Sequence, residues 1–238
     1  MGNISIGLHW LTKHAAIERA KRVYRRDGII AVLQRAASCA GRVTRRWAYS
    51  SQRHGWYLLN LCSERPHRKL SEGFALARAG EDELTSLEQL PTVGYLEGRR
   101  LLFAGADLWI VRGDGHPVFS CWIFRDRTPV FAAHGGWLEL PPGIVCLECS
   151  VTAPRYRGRG IAPAAYCAIA DILAGEGVAA IVMKIEEGNV SSRRAVEKVG
   201  FHEIAAMHFL RVGPWSHVDL RLHDAGASAT FLVERLAY

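Results

Sequence analysis

The stretch from Ile144 to Ala174 constrains this chain more than any other. An apolar run, Ile144–Val151, passes through Pro154 into Arg155-Tyr156-Arg157-Gly158-Arg159-Gly160 and then into Ile161–Ala174, which is apolar nearly all round. The first run reads as a strand and the last as a helix buried on most sides. Pro163 fits that helix because it falls in the first turn, where its missing N–H has no intrahelical partner to lose. Strand, Gly/Arg loop and buried helix in succession point to a mixed α and β fold.

The loop has the chemistry of an anion site. Phosphate binding at a helix N-terminus needs free backbone N–H groups and a chain that lets the ligand come close. Gly158 and Gly160 permit that approach, and Arg155, Arg157 and Arg159 surround it with positive charge. An ordinary basic turn is the competing reading. The spacing differs from the dinucleotide fingerprint, and the P-loop's Gly-Lys-Ser/Thr is missing.

The flanking pattern extends the α and β reading. Strands are expected at Phe74–Arg78, Leu108–Arg112, Val118–Phe124, Ala179–Ile185 and Phe201–Val212, with further ones at Val218–Leu222 and Thr230–Leu236. Helices are expected over Glu81–Leu90 and Val190–Val199. Gly113-Asp114-Gly115-His116 reads as a hairpin turn. Residues 50–71 read as a connector, with Trp56-Tyr57-Leu58-Leu59 as a candidate added strand. The division is 1–71, a basic helical extension and connector, and 72–238, the α and β domain.

Two signatures now carry a resemblance. Val151-x-x-Pro154-x-Tyr156-Arg157-Gly158-x-Gly160 resembles the pyrophosphate motif of the GNAT acyltransferases, Arg/Gln-x-x-Gly-x-Gly/Ala. About thirty residues on, Asn189-x-x-Ser192-x-x-x-Val196-x-x-x-Gly200-Phe201 is similar to that family's second signature. The resemblance covers roughly 72–212. It implies a mixed sheet splayed between the strand ending near Val151 and the strand Ala179–Ile185, flanked by helices, with acetyl-CoA or another acyl-CoA as co-substrate in the cleft. It implies a thioester carbonyl held by backbone near Cys149–Val151 and a pyrophosphate on the N–H groups from Arg157 to Ile161. Asn189 and Ser192 would face the pantetheine arm, although Asn189 also reads as a helix N-cap.

Transfer of an acyl group to an amine requires a base for the amine's proton. Glu148 lies nine residues before Arg157, an offset at which some members of the family place a glutamate base; a solvent-facing or ion-paired Glu148 is the alternative. Glu139, Glu186 and Glu187 are weaker candidates. The family's tyrosine acid falls at Val196 here, which leaves protonation of the departing thiolate without its usual donor. CoA binding without turnover is therefore a second reading of the domain.

Composition sets the remaining bounds. Cys39, Cys62, Cys121, Cys146, Cys149 and Cys167 are scattered, and only Cys146 and Cys149 have a metal-like spacing. Residues three apart on a strand face opposite sides, so no metal site is expected, and the thiols fit a reducing compartment such as the cytoplasm. No apolar run reaches the roughly 18 residues of a membrane span, and the first residues lack a secretory signal.

The net charge is +7, yet residues 1–53 hold eleven Lys and Arg against two acids, while the rest holds nineteen against twenty-one. Residues 12–49 read as two helices broken near Asp27-Gly28, the second with an apolar stripe through Ile29, Leu33, Ala36, Ala40, Val43 and Trp47. This basic helical extension fits a helical pair packed on the domain, or peripheral contact with an anionic membrane. Nucleic acid is not favoured, because no recognition motif accompanies the charge.

Overall fold

The computed structural model describes residues 49–90, 92–223 and 227–236. The two helices expected within 12–49 lie outside the described residues, apart from Tyr49, which begins a strand. The described residues from 51 to 210 and from 216 to 236 fall in one compact unit, to which residues 49, 50 and 211–215 do not belong.

Among the described residues ten strands and four α-helices follow in order: β1 (Tyr49–Asn60), β2 (Phe74–Ala79), α1 (Tyr95–Phe103), β3 (Asp107–Gly113), β4 (His116–Phe124), β5 (Arg127–Pro129), β6 (Trp137–Glu139), β7 (Ile144–Thr152), α2 (Ile161–Gly175), β8 (Ala180–Glu186), α3 (Val190–Glu197), β9 (His202–Val212), β10 (Trp215–Leu222) and α4 (Ala227–Leu236). Eight strands make one mixed sheet in the order β10-β9-β1-β8-β7-β4-β3-β2, and β5 and β6 form a separate hairpin.

Alternation along the strands feeds two cores, one on each face. Trp56, Leu58, Leu108, Ile110, Trp122, Cys146 and Val182 join one core with residues of α1 and α4. Tyr57, Leu59, Trp109, Val111, Cys121, Leu147 and Met183 join the other with α2 and α3. A sheet covered on both faces explains the near-continuous apolar runs of its central strands. It also explains why α2 is apolar nearly all round: Ala165, Ile169, Ala170 and Leu173 are fully buried.

Two expectations are corrected. Thr230–Leu236 belongs to a helix, α4, with Ala229, Leu232 and Leu236 buried at helical three- and four-residue steps. Glu81–Leu90 forms two 3-10 turns, Glu81–Glu83 and Ser86–Gln89, instead of one α-helix. Leu84, Leu87 and Leu90 are the buried residues there, and a spacing of three is the period of a 3-10 helix. The Trp56–Leu59 run is a strand, as its composition suggested, and belongs to the twelve-residue β1, which pairs antiparallel with β8 from His54↔Glu186 to Asn60↔Ala180. Among the described residues no helix is long and apolar enough to cross a membrane.

The feature that positions the site is the parting of β7 from β8. These two strands run parallel but pair only at Ile144↔Ala180, Val145↔Ile181 and Cys146↔Val182. Beyond Cys146, β7 stays with β4 as far as Thr152, while β8 stays with β1 as far as Glu186. The sheet therefore splays open between Leu147–Thr152 and Met183–Glu186.

Candidate functional site

At the parting, β7 bulges. Its pairing with β4 runs Trp122↔Glu148 and then Ser120↔Val151, so Cys149 and Ser150 together oppose Cys121. Cys149 takes φ 53, the left-handed conformation that a residue with a side chain rarely adopts. One extra residue in a strand reverses the facing of everything after it. Strict alternation would put Glu148 and Ser150 on the same face; the bulge sends them to opposite ones.

Glu148 faces the core that holds Cys146, whose Sγ is 3.6 Å from Glu148 Oε1. On that face it meets Lys184 of β8, with Nζ 2.5 Å from Oε1. The Lys184 and Glu148 side chains are 15% and 11% exposed, so this ion pair spans the splay almost out of water. The ammonium also donates to Pro129 O at 3.2 Å and lies 5.9 Å from the centroid of the Trp56 ring. Burial, the largest single influence, lowers the Lys184 pKa, but the Glu148 carboxylate with Cys146 and Cys149 together outweigh it and the net shift is upward. The indole N–H groups of Trp56 and Trp122 are buried on this side without a hydrogen-bond partner.

Ser150 faces the other way, into a groove of about 770 Å³ between the end of β7, the loop before α2, and α3. Of the residues expected to hold the ligand, Val151, Arg157, Gly158, Gly160, Ile161, Asn189 and Ser192 line this groove together. Gly158 and Gly160 have φ 78 and 76, and a Cβ at either would meet nothing within 4 Å. Their left-handed backbone turns the chain into α2, whose first turn carries no acid to occupy the N–H groups. Asn189 caps α3, its Oδ1 accepting from Ser192 N at 3.2 Å and from Ser191 Oγ at 3.0 Å. The cap and the groove-facing position are thus held by the same residue.

The remaining expected residues lie elsewhere. Arg155 sits in a 3-10 turn, Pro154–Tyr156, and is not among the lining residues. Arg159 stacks its guanidinium 5.2 Å from the Tyr156 ring centroid, beside the groove. Cys149 and Glu148 are also outside its lining. The Cys149 thiol has open surface, yet surrounding protein atoms desolvate it, and with Glu148's charge they push its pKa up to about 11. Among the weaker candidates, Glu139 pairs with Arg235 at 3.4 Å and Glu187 with Arg53 at 3.8 Å.

The groove contains cations that the sequence reading passed over. Arg68, Arg194 and Lys198 join Arg157 along its lining, and none of the lining residues is acidic. Arg194 and Lys198 stand four apart at the end of α3 and share a face, a spacing visible in sequence. Arg68 carries no local signal: it arrives from the connector after β1, its Nε donating to Lys198 O at 3.3 Å. Tyr166 on α2 and Ser150 also line the groove, and Tyr166 Oη donates to Ser150 Oγ at 2.8 Å. Val196 is fully buried in the core and presents no proton donor. Among the described residues no group of three or more His, Cys, Asp or Glu is placed to hold a metal ion.

Fold and groove together define a mixed α/β protein with a basic, glycine-lined cleft beside a splayed parallel strand pair. The chain carries a domain of the GNAT acetyltransferase family: residues 84–201 match the family model described as Acetyltransferase (GNAT) family. Among solved structures it is similar to a GCN5-related N-acetyltransferase from Sphaerobacter thermophilus, with 17% identity, 73% of this chain and 55% of that chain covered, and a TM-score of 0.50. It is also similar to a Drosophila protein, with 15% identity, 74% and 57% covered, and a TM-score of 0.51. A GNAT-family acetyltransferase from Colwellia psychrerythraea follows at 16% identity, 73% and 57% covered, and a TM-score of 0.49. The chain spans less than two thirds of the length of each of these three proteins. No curated protein sequence matches it.

Proposed function

We propose that this protein is an N-acyltransferase that moves an acyl group directly from an acyl-CoA, with acetyl-CoA as the first donor to test, onto an amine. The observation that carries the proposal is the groove: four cations, two left-handed glycines and a helix N-terminus converge on it, and no acid lines it. A donor with a pyrophosphate and a further phosphate suits that charge. Its diphosphate would lie on the N–H groups from Arg157 to Ile161. The pantetheine arm would run past Asn189 and Ser192 toward the β7 edge that β8 leaves free.

At the splay the chemistry divides between the two faces. The amine would approach from the side of Glu148 and attack the thioester carbonyl, forming the C–N bond as the C–S bond breaks. Glu148 would take the amine's proton, and the sulfur would leave as thiolate. Backbone N–H groups around the Cys149 bulge would hold the carbonyl oxygen as it gains charge. Cys149 itself takes no covalent part in this scheme, since a thiol with a pKa of about 11 is protonated near neutrality.

A second reading, CoA binding without turnover, is favoured by the ion pair that already engages Glu148. Both readings are tested by one assay: release of free CoA thiol from acetyl-CoA, measured against a panel of amines that includes amino acids, peptides, polyamines and amino sugars. Amine-dependent thiol release supports the transferase. Saturable acetyl-CoA binding with no release for any amine supports the binding protein.

A further inference from the structure

The departing sulfur needs a partner, and the groove contains a hydroxyl placed to be one. Ser150 and Tyr166 both line the groove, and Tyr166 Oη donates to Ser150 Oγ at 2.8 Å. Tyr166 is 3% exposed and is packed edge-on against Phe119, with ring centroids 5.8 Å apart, so its hydroxyl has little freedom. That bond fills an acceptor position on Ser150, which leaves the serine proton free to point into the groove. Burial pushes the Tyr166 pKa well up, so the phenol stays neutral and keeps donating throughout the working pH range.

The bulge then fixes which ligand atom Ser150 meets. Glu148 is on one face of β7 and Ser150, two residues later, on the other. The sulfur ends the pantetheine arm, and the arm lies in the groove that Ser150 lines. With the amine approaching from the Glu148 side, the sulfur therefore stays on the groove side, toward Ser150. Resting on the acyltransferase reading above, we infer that Ser150, pinned by Tyr166, is the hydrogen-bond donor to the leaving sulfur of acyl-CoA.

No proton is transferred in this step. The C–S bonding pair stays on sulfur, Ser150 O–H stabilises the resulting thiolate, and the thiolate takes a proton from solvent water as CoA leaves. Ser150 is thereby a catalytic residue and Tyr166 a positioning residue. The same contact should be felt by free CoA at equilibrium, since a hydroxyl donor favours the thiolate over the thiol.

The test uses the full chain with Ser150→Ala, Ser150→Thr and Tyr166→Phe variants, read two ways. In turnover, Ser150→Ala lowers kcat roughly 10- to 100-fold, the scale of one hydrogen bond to a charged group, with the acetyl-CoA Kd almost unchanged. Ser150→Thr restores most of the loss, and Tyr166→Phe falls between. In binding, the affinity of wild-type protein for free CoA rises with pH through the titration of the CoA thiol, and this rise is flattened in Ser150→Ala. A CoA pH profile identical in wild type and Ser150→Ala overturns the inference, as does a Ser150→Ala effect confined to acetyl-CoA affinity. Absence of any CoA binding by wild-type protein would instead remove the acyltransferase reading on which the inference rests.

Discussion

Lys184 Nζ lies 2.5 Å from Glu148 Oε1, tying β8 to β7 two residues beyond their last backbone pair, Cys146↔Val182. The pair stands where the sheet has opened and main-chain hydrogen bonds no longer hold the strands together. It therefore has two consequences, one for stability and one for chemistry.

For stability, removing one partner leaves the other as an uncompensated, mostly buried charge, which costs about 3–5 kcal/mol. Lys184→Met should lower the unfolding free energy on that scale, measured by denaturant titration. The double change Glu148→Leu with Lys184→Met should recover most of it. The pH dependence follows from the direction of the shift. The Lys184 pKa in the folded protein is raised above its ordinary 10.5, so the pair's contribution is fully present below that value and is lost as pH climbs through the folded pKa. As pH climbs through the folded Lys184 pKa, wild type and Lys184→Met should converge in stability.

For chemistry, Glu148→Gln should cut turnover roughly 100- to 10,000-fold, the range for losing a general base. Acetyl-CoA affinity should be nearly unchanged, because Glu148 lies outside the groove lining. Steady-state kinetics beside calorimetric titration separates the two effects. Unaltered turnover would move the base's role to water or to another carboxylate.

Cys149 should be dispensable as a thiol. Its pKa of about 11 keeps it protonated at neutral pH, and the thiolate is the reactive form. Cys149→Ala should retain most of the turnover, and no acylated Cys149 should be found by mass spectrometry after incubation with acetyl-CoA. An acyl-enzyme at this position would replace direct transfer with a two-step mechanism.

What was legible in the sequence follows from how local each signal is. Gly158 and Gly160 act through their own backbone and Asn189 Oδ1 caps the helix it begins, so the loop chemistry and the two family signatures point to them locally, and they line a single groove. The facing of Glu148 and Ser150 was not legible, because it depends on a bulge that appears only in the register between β7 and β4. Arg68 was missed for a similar reason: only the course of the chain after β1 brings it to α3. α1 went unread because only Gly98 and Leu101 of its nine residues are buried, too few to set a helical stripe. Thr230-Phe231-Leu232-Val233 has the composition of a strand, yet it lies in α4. The spacing of Ala229, Leu232 and Leu236 would have argued for a helix.

The central claim is that the Gly158–Gly160 loop and the cations around it hold the phosphates of acyl-CoA, and calorimetric titration of acetyl-CoA into wild type and Gly158→Val tests it most directly. A valine there would project into open groove from a backbone at φ 78, so melting curves must first show that the variant is folded. The account predicts saturable, near-stoichiometric binding by wild type and a loss of about 1.5–3 kcal/mol or more in the variant, the worth of at least one charge-assisted hydrogen bond. Wild-type affinity in a folded Gly158→Val protein would contradict it.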